Sequence, residues 1–295
     1  MCIRDRAFLE PKLADLSDPF EMPGMATAVE RVFAAADRGE KVALYGDYDV
    51  DGVTSLTLLK AILDAYGILC GTFLPHRIGE GYGLSIDGLD RCLEEQSPDL
   101  LIAVDCGTTS IEEIQWLKSR GVESVILDHH EPAPDGLPDC IALVNPKVPE
   151  PGKSCRLDYL CSAGVVFKLA HAMLKKRPVE GFRLRDYLDV VAVGTVADIV
   201  PLREENRTLV KRGLHELART RSAGLAALAE IAGINPPYGA QDISFRISPR
   251  LNAAGRLDTA AAALDLMLCE NPREAQRLAA DLDRQNQTRQ ELEHG

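Results

Sequence analysis

Three aspartates fall within five residues of "GDYDVDG", at Asp47, Asp49 and Asp51, directly after the apolar run "KVALY". Two more acids close apolar runs further on. Asp105 ends "LLIAVD", and Asp128 ends "VILD" and is followed at once by His129 and His130. Asp198 lies in the otherwise apolar "VGTVADIVPL". Carboxylates crowded at the ends of buried runs repel one another, and burying them unpaired costs several kcal/mol. Divalent cations relieve that cost. A mixed oxygen and imidazole donor set suits Mn²⁺ or Mg²⁺ better than a thiolate-seeking metal. Blander readings exist for each residue alone. A single Asp after a strand is commonly a helix N-cap, Asp47 and Asp99 read equally well as loop residues, and Asp198 could pair with Arg203. Several strand ends carrying acids or histidines together are better explained by a shared metal site. No Ser–His–Asp arrangement and no C-x-x-C pair competes with it.

These residues need a scaffold that brings strand ends together. Residues 25–38 have helical apolar spacing, and Gly39 stops them. "KVALYG", "LCGTFLP", "DLLIAVD", "ESVILD" and "CIALVNP" read as strands. "VTSLTLLKAILDAYG", a short helix ending near Gln96, and "SIEEIQWLKSRG" alternate with the first four. Such alternation predicts an α/β fold with a doubly wound, mainly parallel sheet, whose strands are apolar throughout because helices cover both faces. Ligands of such sheets bind outside the carboxyl ends of the strands, where Asp49, Asp51, Asp105, Asp128, His129 and His130 fall. Beyond residue 160 the periodicity is helical, and the chain closes with a polar helix bearing a thin apolar stripe.

The 295 residues allow one large domain or two smaller ones, and the net charge of −12 argues against a generic polyanion binder. A nucleic-acid partner must be met by a local basic patch or through metal ions. No apolar run is long enough to cross a bilayer, and no membrane partner is expected; the reading is cytoplasmic. The eight cysteines, scattered from Cys2 to Cys269, read mostly as packing residues of a reducing compartment. The opening "MCIRDR" shows no usable pattern.

With "GDYDVDG", "VDCGTT", "DHH" and "VADIVPL" in this order, the chain resembles the DHH phosphoesterase superfamily, and within it the RecJ-type single-strand-specific DNA exonucleases. "LPHRIGEGYGLS", "LVNPK", "LCSAGVVFKLA" and "ISPRLNAAGRLDTA" extend the resemblance over nearly all of residues 8–292. It implies two divalent metal ions, Mn²⁺ or Mg²⁺, held by Asp49, Asp51, Asp105, His129 and Asp198, with Asp105 bridging and Asp47 a possible neighbour. His130 would contact the substrate phosphate, and Asp128 would orient a histidine. Many members place His where this chain has Tyr45, four residues before Asp49. The implied reaction is two-metal phosphodiester hydrolysis, with ions about 3.5–4 Å apart.

The resemblance also assigns substrate contacts. Arg246, Arg250 and Arg256 of "SFRISPRLNAAGR", with Asn252, would hold phosphates of the strand; the alternative is a loop whose arginines pair with Asp242 or Asp258. Arg77 and Tyr82 would add charge and stacking. The expected organisation is a lead-in with a helix at 1–40 and a DHH phosphoesterase domain at 41–215. A helical and loop extension with the Arg-rich segment follows at 216–270, then the start of an interdomain connecting helix at 271–295. The family's further domains would follow that helix, so the chain is read as a catalytic-core fragment whose last helix leaves its apolar stripe uncovered. The expected activity is 5′→3′ hydrolysis of single-stranded DNA in repair and recombination, with a helicase and single-strand-binding protein as partners by resemblance. The alternatives are a DHH phosphodiesterase for short oligonucleotides or cyclic dinucleotides, and a non-catalytic replication scaffold of the same fold.

Overall fold

Gly39 ends helix α1 (Met25–Arg38) in a left-handed conformation, and the chain enters β1 (Val42–Gly46), all five residues of which are buried. The computed structural model describes residues 9–75, 83–149, 152, 154–257 and 261–294. After β1 come α2 (Val50–Ala65), β2 (Cys70–Phe73), α3 (Ile86–Gln96), β3 (Leu100–Val104), α4 (Ile111–Ser119), β4 (Glu123–Leu127) and β5 (Ala142–Val144). All four strand pairings are parallel, in the order β2-β1-β3-β4-β5.

Successive side chains of a strand point to opposite faces, and here both faces are covered. Val42, Leu44, Leu100, Ile102, Val104, Val125 and Leu127 join one apolar core with α1 and α2. Ala43, Tyr45, Leu101, Ala103 and Ile126 join a second with Leu89 and Cys92 of α3 and Ile114 and Leu117 of α4. The sheet is therefore doubly wound, as expected. The chain reverses its direction of growth between β1 and β3, which makes the gap beyond their carboxyl ends the topological switch point.

The helical half comprises α5 (Ser162–Lys176), α6 (Leu188–Ala197), α7 (Glu204–Leu217), α8 (Ala223–Ile231), α9 (Ser248–Leu257), α10 (Ala261–Leu268) and α11 (Pro272–His294). Residues 188–196 of α6 are all buried, because α2, α5 and α7 pack around it. That explains a helix with little polar face.

The structure corrects one alternative reading and one expectation. The stretch "SFRISPRLNAAGRL" is helical rather than a loop: a π-helical turn at Ile243–Ile247 runs straight into α9. The apolar stripe of α11 is covered rather than bare. Ala275, Ala279 and Leu282 are fully buried against the helical half, where α11 packs on α8, α9 and α10.

Candidate metal centre

The register of the sheet sets one row of residues. Gly46 pairs with Val104, Val104 with Leu127, and Leu127 with Val144. The residues that follow are Asp47, Asp105, Asp128 and Asn145, so four chain segments each bring a polar side chain to the same edge. The chain immediately after β1 then folds back on itself. Asp49 caps α2 by accepting from the Gly52 amide at 3.0 Å. A side chain at Gly52 would meet the Asp47 carbonyl oxygen at 2.3 Å, so this tight return needs glycine. It places Asp51 in the first turn of α2, where it is buried.

Asp51 is gripped from the far side of the sheet edge. The amides of Ser162 and Ala163, at the start of α5, donate to its two oxygens at 2.7 and 3.0 Å. The positive end of the helix dipole thereby offsets part of its charge. Ser162 Oγ donates to Asp105 Oδ1 at 2.8 Å. Asp198 arrives as the C-cap of α6, and Gly194 lets that helix come close. A Cβ there would lie 2.4 Å from Thr54 Oγ1 and 2.9 Å from Asp51 Oδ1. Backbone strain accumulates at the site: Asp105 has φ 62° and Ile199, next to Asp198, has φ 60°. The second is a costly conformation for a β-branched residue.

At the centre lies the His129 imidazole. Its Nε2 is 3.4 Å from Asp105 Oδ1, 3.6 Å from Asp198 Oδ2 and 3.8 Å from Asp51 Oδ2. Neither ring nitrogen has a hydrogen-bond partner, nor do Asp105 Oδ2 and Asp198 Oδ2. His130 is held differently. Its Nδ1 pairs with Asp128 Oδ1 at 2.7 Å, and Asp128 also accepts from the amides of Thr108, His129 and His130.

The electrostatics divide the acids into two kinds. Burial, then the nearby Asp49, push Asp47 up to about 7. Burial likewise raises Asp51 to about 6, with Asp198 and Asp49 adding to the rise against the pull of His129. Burial and Asp49 raise Asp198 to about 6, and burial with Asp51 raises Asp105 well above the carboxylate range. Asp128 is the opposite case. Burial would raise it, but hydrogen bonds from His130 and Thr108 hold it well below its ordinary value. Hydrogen bonding to Asp128 raises His130, whereas burial lowers His129.

The donors fit divalent cations. Asp47, Asp49 and Asp105 offer oxygens within 4.8 Å of one another, and so do Asp105, His129 and His130 with oxygen and nitrogen atoms. A third such group, Asp51, Cys161 and Asp198, includes a thiol. Buried, unpartnered oxygens and an imidazole aimed at them are what a cation would satisfy.

Three participants were missed by sequence reasoning. Asn145 donates to Thr108 Oγ1 and to the His130 carbonyl, each at 2.9 Å, and so braces the histidine loop. It occupies the same post-strand position as the three acids, a signal visible in "ALVNP". Ser162 and Cys161 open a helix whose sequence, "LCSAGVVFKLA", carried part of the family resemblance but was given no role at the site.

The expected substrate contacts are less convergent. Arg246 is exposed, and Asn252 is half-buried. Arg250 is largely buried and ion-paired with Asp283 of α11 at 2.8 Å rather than with Asp242, while Asp258, the other acid considered for a loop, lies outside the described residues. The helical geometry explains this, since α9 and α11 pack directly together. Arg77, Tyr82 and the Arg256 side chain lie outside the described residues.

A doubly wound parallel sheet with acids and a DHH triplet along its carboxyl edge has a family counterpart. Residues 41–195 match the DHH family, N-terminal domain, and the chain belongs to the DHH family. Inside that family its similarity is to RecJ. It is 40% identical over 288 residues to the single-stranded-DNA-specific exonuclease RecJ of Bacillus subtilis, covering 97% of this chain and 35% of that protein. Identity to RecJ of Thermus thermophilus is 37%, over 98% of this chain and 41% of that one. The chain thus spans well under half the length of these two curated relatives. The crystal structure of an exonuclease RecJ bound to manganese superposes with a TM-score of 0.83 at 37% identity, covering 92% of this chain and 68% of that one.

Proposed function

We propose that the chain carries the catalytic core of a metal-dependent 5′→3′ single-strand DNA exonuclease, with two divalent ions, Mn²⁺ or Mg²⁺, as cofactors. Asp49, Asp51, Asp105, His129 and Asp198 hold the ions, with Asp47 beside them. One observation carries this reading: a buried imidazole without a hydrogen-bond partner faces carboxylates from three separate elements. When bound, the ions supply Lewis-acid polarisation of the phosphate ester and an activated water. The chain's own residues position and stabilise. Asp128 fixes the His130 ring through Nδ1 and favours its protonated form, which makes Nε2–H a donor for a phosphoryl oxygen. Ser162 and Asn145 hold Asp105 and the histidine loop in place. The exposed Arg246 is suited to grip a backbone phosphate.

The relatives' names and the manganese-bound structure support the substrate and metal. Among the described residues no helix is long and apolar enough to cross a membrane. A cytoplasmic location and cooperation with a helicase and single-strand-binding protein complete the reading, and co-purification with each would test the latter. The decisive assay compares 5′- and 3′-labelled single strands, duplex DNA and the dinucleotide pApA, with Mn²⁺, Mg²⁺ or chelator. Metal-dependent release from the 5′ end of single strands is expected. Preference for pApA would replace this reading with an oligonucleotide phosphodiesterase, and no hydrolysis with any metal would leave a scaffold.

A further inference from the structure

Cys161 stands where the proposed oxygen-and-imidazole centre acquires a sulfur. It is the residue before α5, fully buried, and its Sγ forms one cluster with carboxylate oxygens of Asp51 and Asp198, all within 4.8 Å of one another. Its orientation is fixed. The Thr195 hydroxyl donates to the Val191 carbonyl at 2.7 Å, and the thiol in turn lies 3.6 Å from Thr195 Oγ1. A second, independent feature lies against the same two carboxylates. The His129 ring, only 6% exposed, has two unpartnered nitrogens, with Nε2 beside both Asp51 and Asp198.

Two carboxylates, an imidazole and a thiol are a poor match for Mn²⁺ or Mg²⁺ alone, which favour oxygen donors. They are a good match for Zn²⁺ or Cd²⁺, which take four-coordinate mixed N, O and S sets. We propose that Cys161 makes this position thiophilic, binding Zn²⁺ or Cd²⁺ through Cys161, Asp51, Asp198 and His129 in place of the activating ion. This rests on the metal-centre reading above. The consequence is regulatory. Catalytic zinc sites keep a position open, whereas four protein ligands close the shell. Zn²⁺ at this position therefore inhibits, although divalent metal is required.

The test uses the purified, metal-stripped chain, wild type and Cys161→Ser, with thermal unfolding to confirm that both are folded. Cd²⁺ titration is read by the ultraviolet sulfur-to-cadmium charge-transfer band. Zn²⁺ affinity is read by competition with a chromogenic chelator, and Mn²⁺ binding by loss of the free-ion paramagnetic resonance signal. The wild type is expected to show a cadmium–sulfur band that Cys161→Ser lacks. Zn²⁺ affinity should fall by at least about 10–100-fold, the loss already typical when a mere hydrogen-bond partner of a metal ligand is removed, while both proteins bind Mn²⁺. Asp198→Asn, which keeps the thiol, should weaken the same band and guards against a folding artefact in the serine variant. An unchanged band and unchanged Zn²⁺ affinity in Cys161→Ser, with Mn²⁺ still bound, overturn the role of Cys161 alone. Absence of Mn²⁺ binding in both proteins overturns the metal centre and this inference with it.

Discussion

Charge is buried in two places in this molecule, and the chain treats them in opposite ways. Lys168 of α5 is fully buried, yet its Nζ lies 2.6 Å from Glu205 Oε2 and donates to the Ser17 carbonyl and hydroxyl at 3.0 and 3.1 Å. Ser17 completes the loop by donating its amide and hydroxyl to Glu205 Oε1. The charges are matched within the protein, and the cluster ties the N-terminal segment to α5 and α7. Across the sheet edge, Asp51, Asp105 and Asp198 are also buried or nearly so. Among the described residues no lysine or arginine stands within ion-pair distance of them, and the imidazole in their midst is left neutral by burial. A closed electrostatic circuit marks scaffold; an open one marks a place kept for something with positive charge.

The sharpest way to break that contrast is to remove one partner on each side. Lys168→Met strands Glu205 without its cation and is expected to destabilise the fold by about 3–5 kcal/mol. The double variant Lys168→Met/Glu205→Leu should recover much of the loss. Urea denaturation measures both, and a near-neutral single variant would show that the pair is ornamental. Asp105→Asn makes the opposite change. Asn tolerates the left-handed backbone found at this position, so the substitution removes charge with little strain. Turnover of single-stranded DNA should fall about 100–1,000-fold, as for other losses of transition-state electrostatics. The unfolding free energy without metal should hold or rise, because Asn is neutral at this buried position without having to bind a proton, as Asp105 must.

Added metal separates the two regions again. Mn²⁺ at about 100 times its dissociation constant should stabilise the wild type by about 2.7 kcal/mol, since only the native state gathers the ligands. Lys168→Met should show the same metal-induced rise from a lower baseline, and Asp105→Asn a much smaller one. Melting curves with and without chelator would record this. Equal shifts in all three proteins would mean that the ion binds elsewhere.

How legible all this was follows from where the information sits. Asp47, Asp105 and Asp128 could be read because each follows an unbroken apolar run, and a parallel sheet puts strand ends in one row whatever the details. Asp51 and Asp198 could be placed near the site, but their neighbours could not. The amides of Ser162 and Ala163 that hold Asp51 belong to a helix more than a hundred positions away. Nothing in local sequence records that a helix N-terminus will face a given carboxylate. Cys161 was submerged for the same reason, as one small residue among others. The pairing of Arg250 with Asp283 depends on α11 folding back on α9, which a polar helix with a thin stripe does not advertise. Lys168 and Glu205, two ordinary surface-type residues by composition, became the buried pair only through tertiary packing.

Asp189 tests the contrast at its weakest point, because it belongs to neither region. It lies in the first turn of α6, is 1% exposed, and accepts from the Val190 amide and the Thr220 hydroxyl. No described lysine or arginine pairs with it, and burial raises it to about 6. An unfolded aspartate titrates near about 3.9, so the folded state holds the proton more tightly. The associated stability is fully present below about pH 4 and is lost as pH rises through about 6. Asp189→Asn should therefore flatten the pH dependence of unfolding between about pH 4 and 7. It should leave the protein about 1 kcal/mol more stable at neutral pH, once the altered hydrogen bond to Thr220 is set against the relieved charge. Activity should not change, because among the described residues no hydrogen bond or ion pair links Asp189 to the metal-centre side chains. Denaturation across that pH range decides the matter. An unchanged slope would mean that Asp189 is already ionised in the folded protein, and that a buried acid can stay charged here with hydrogen bonds alone. The open circuit at the sheet edge would then be weaker grounds for a cation than the contrast with Lys168 suggests.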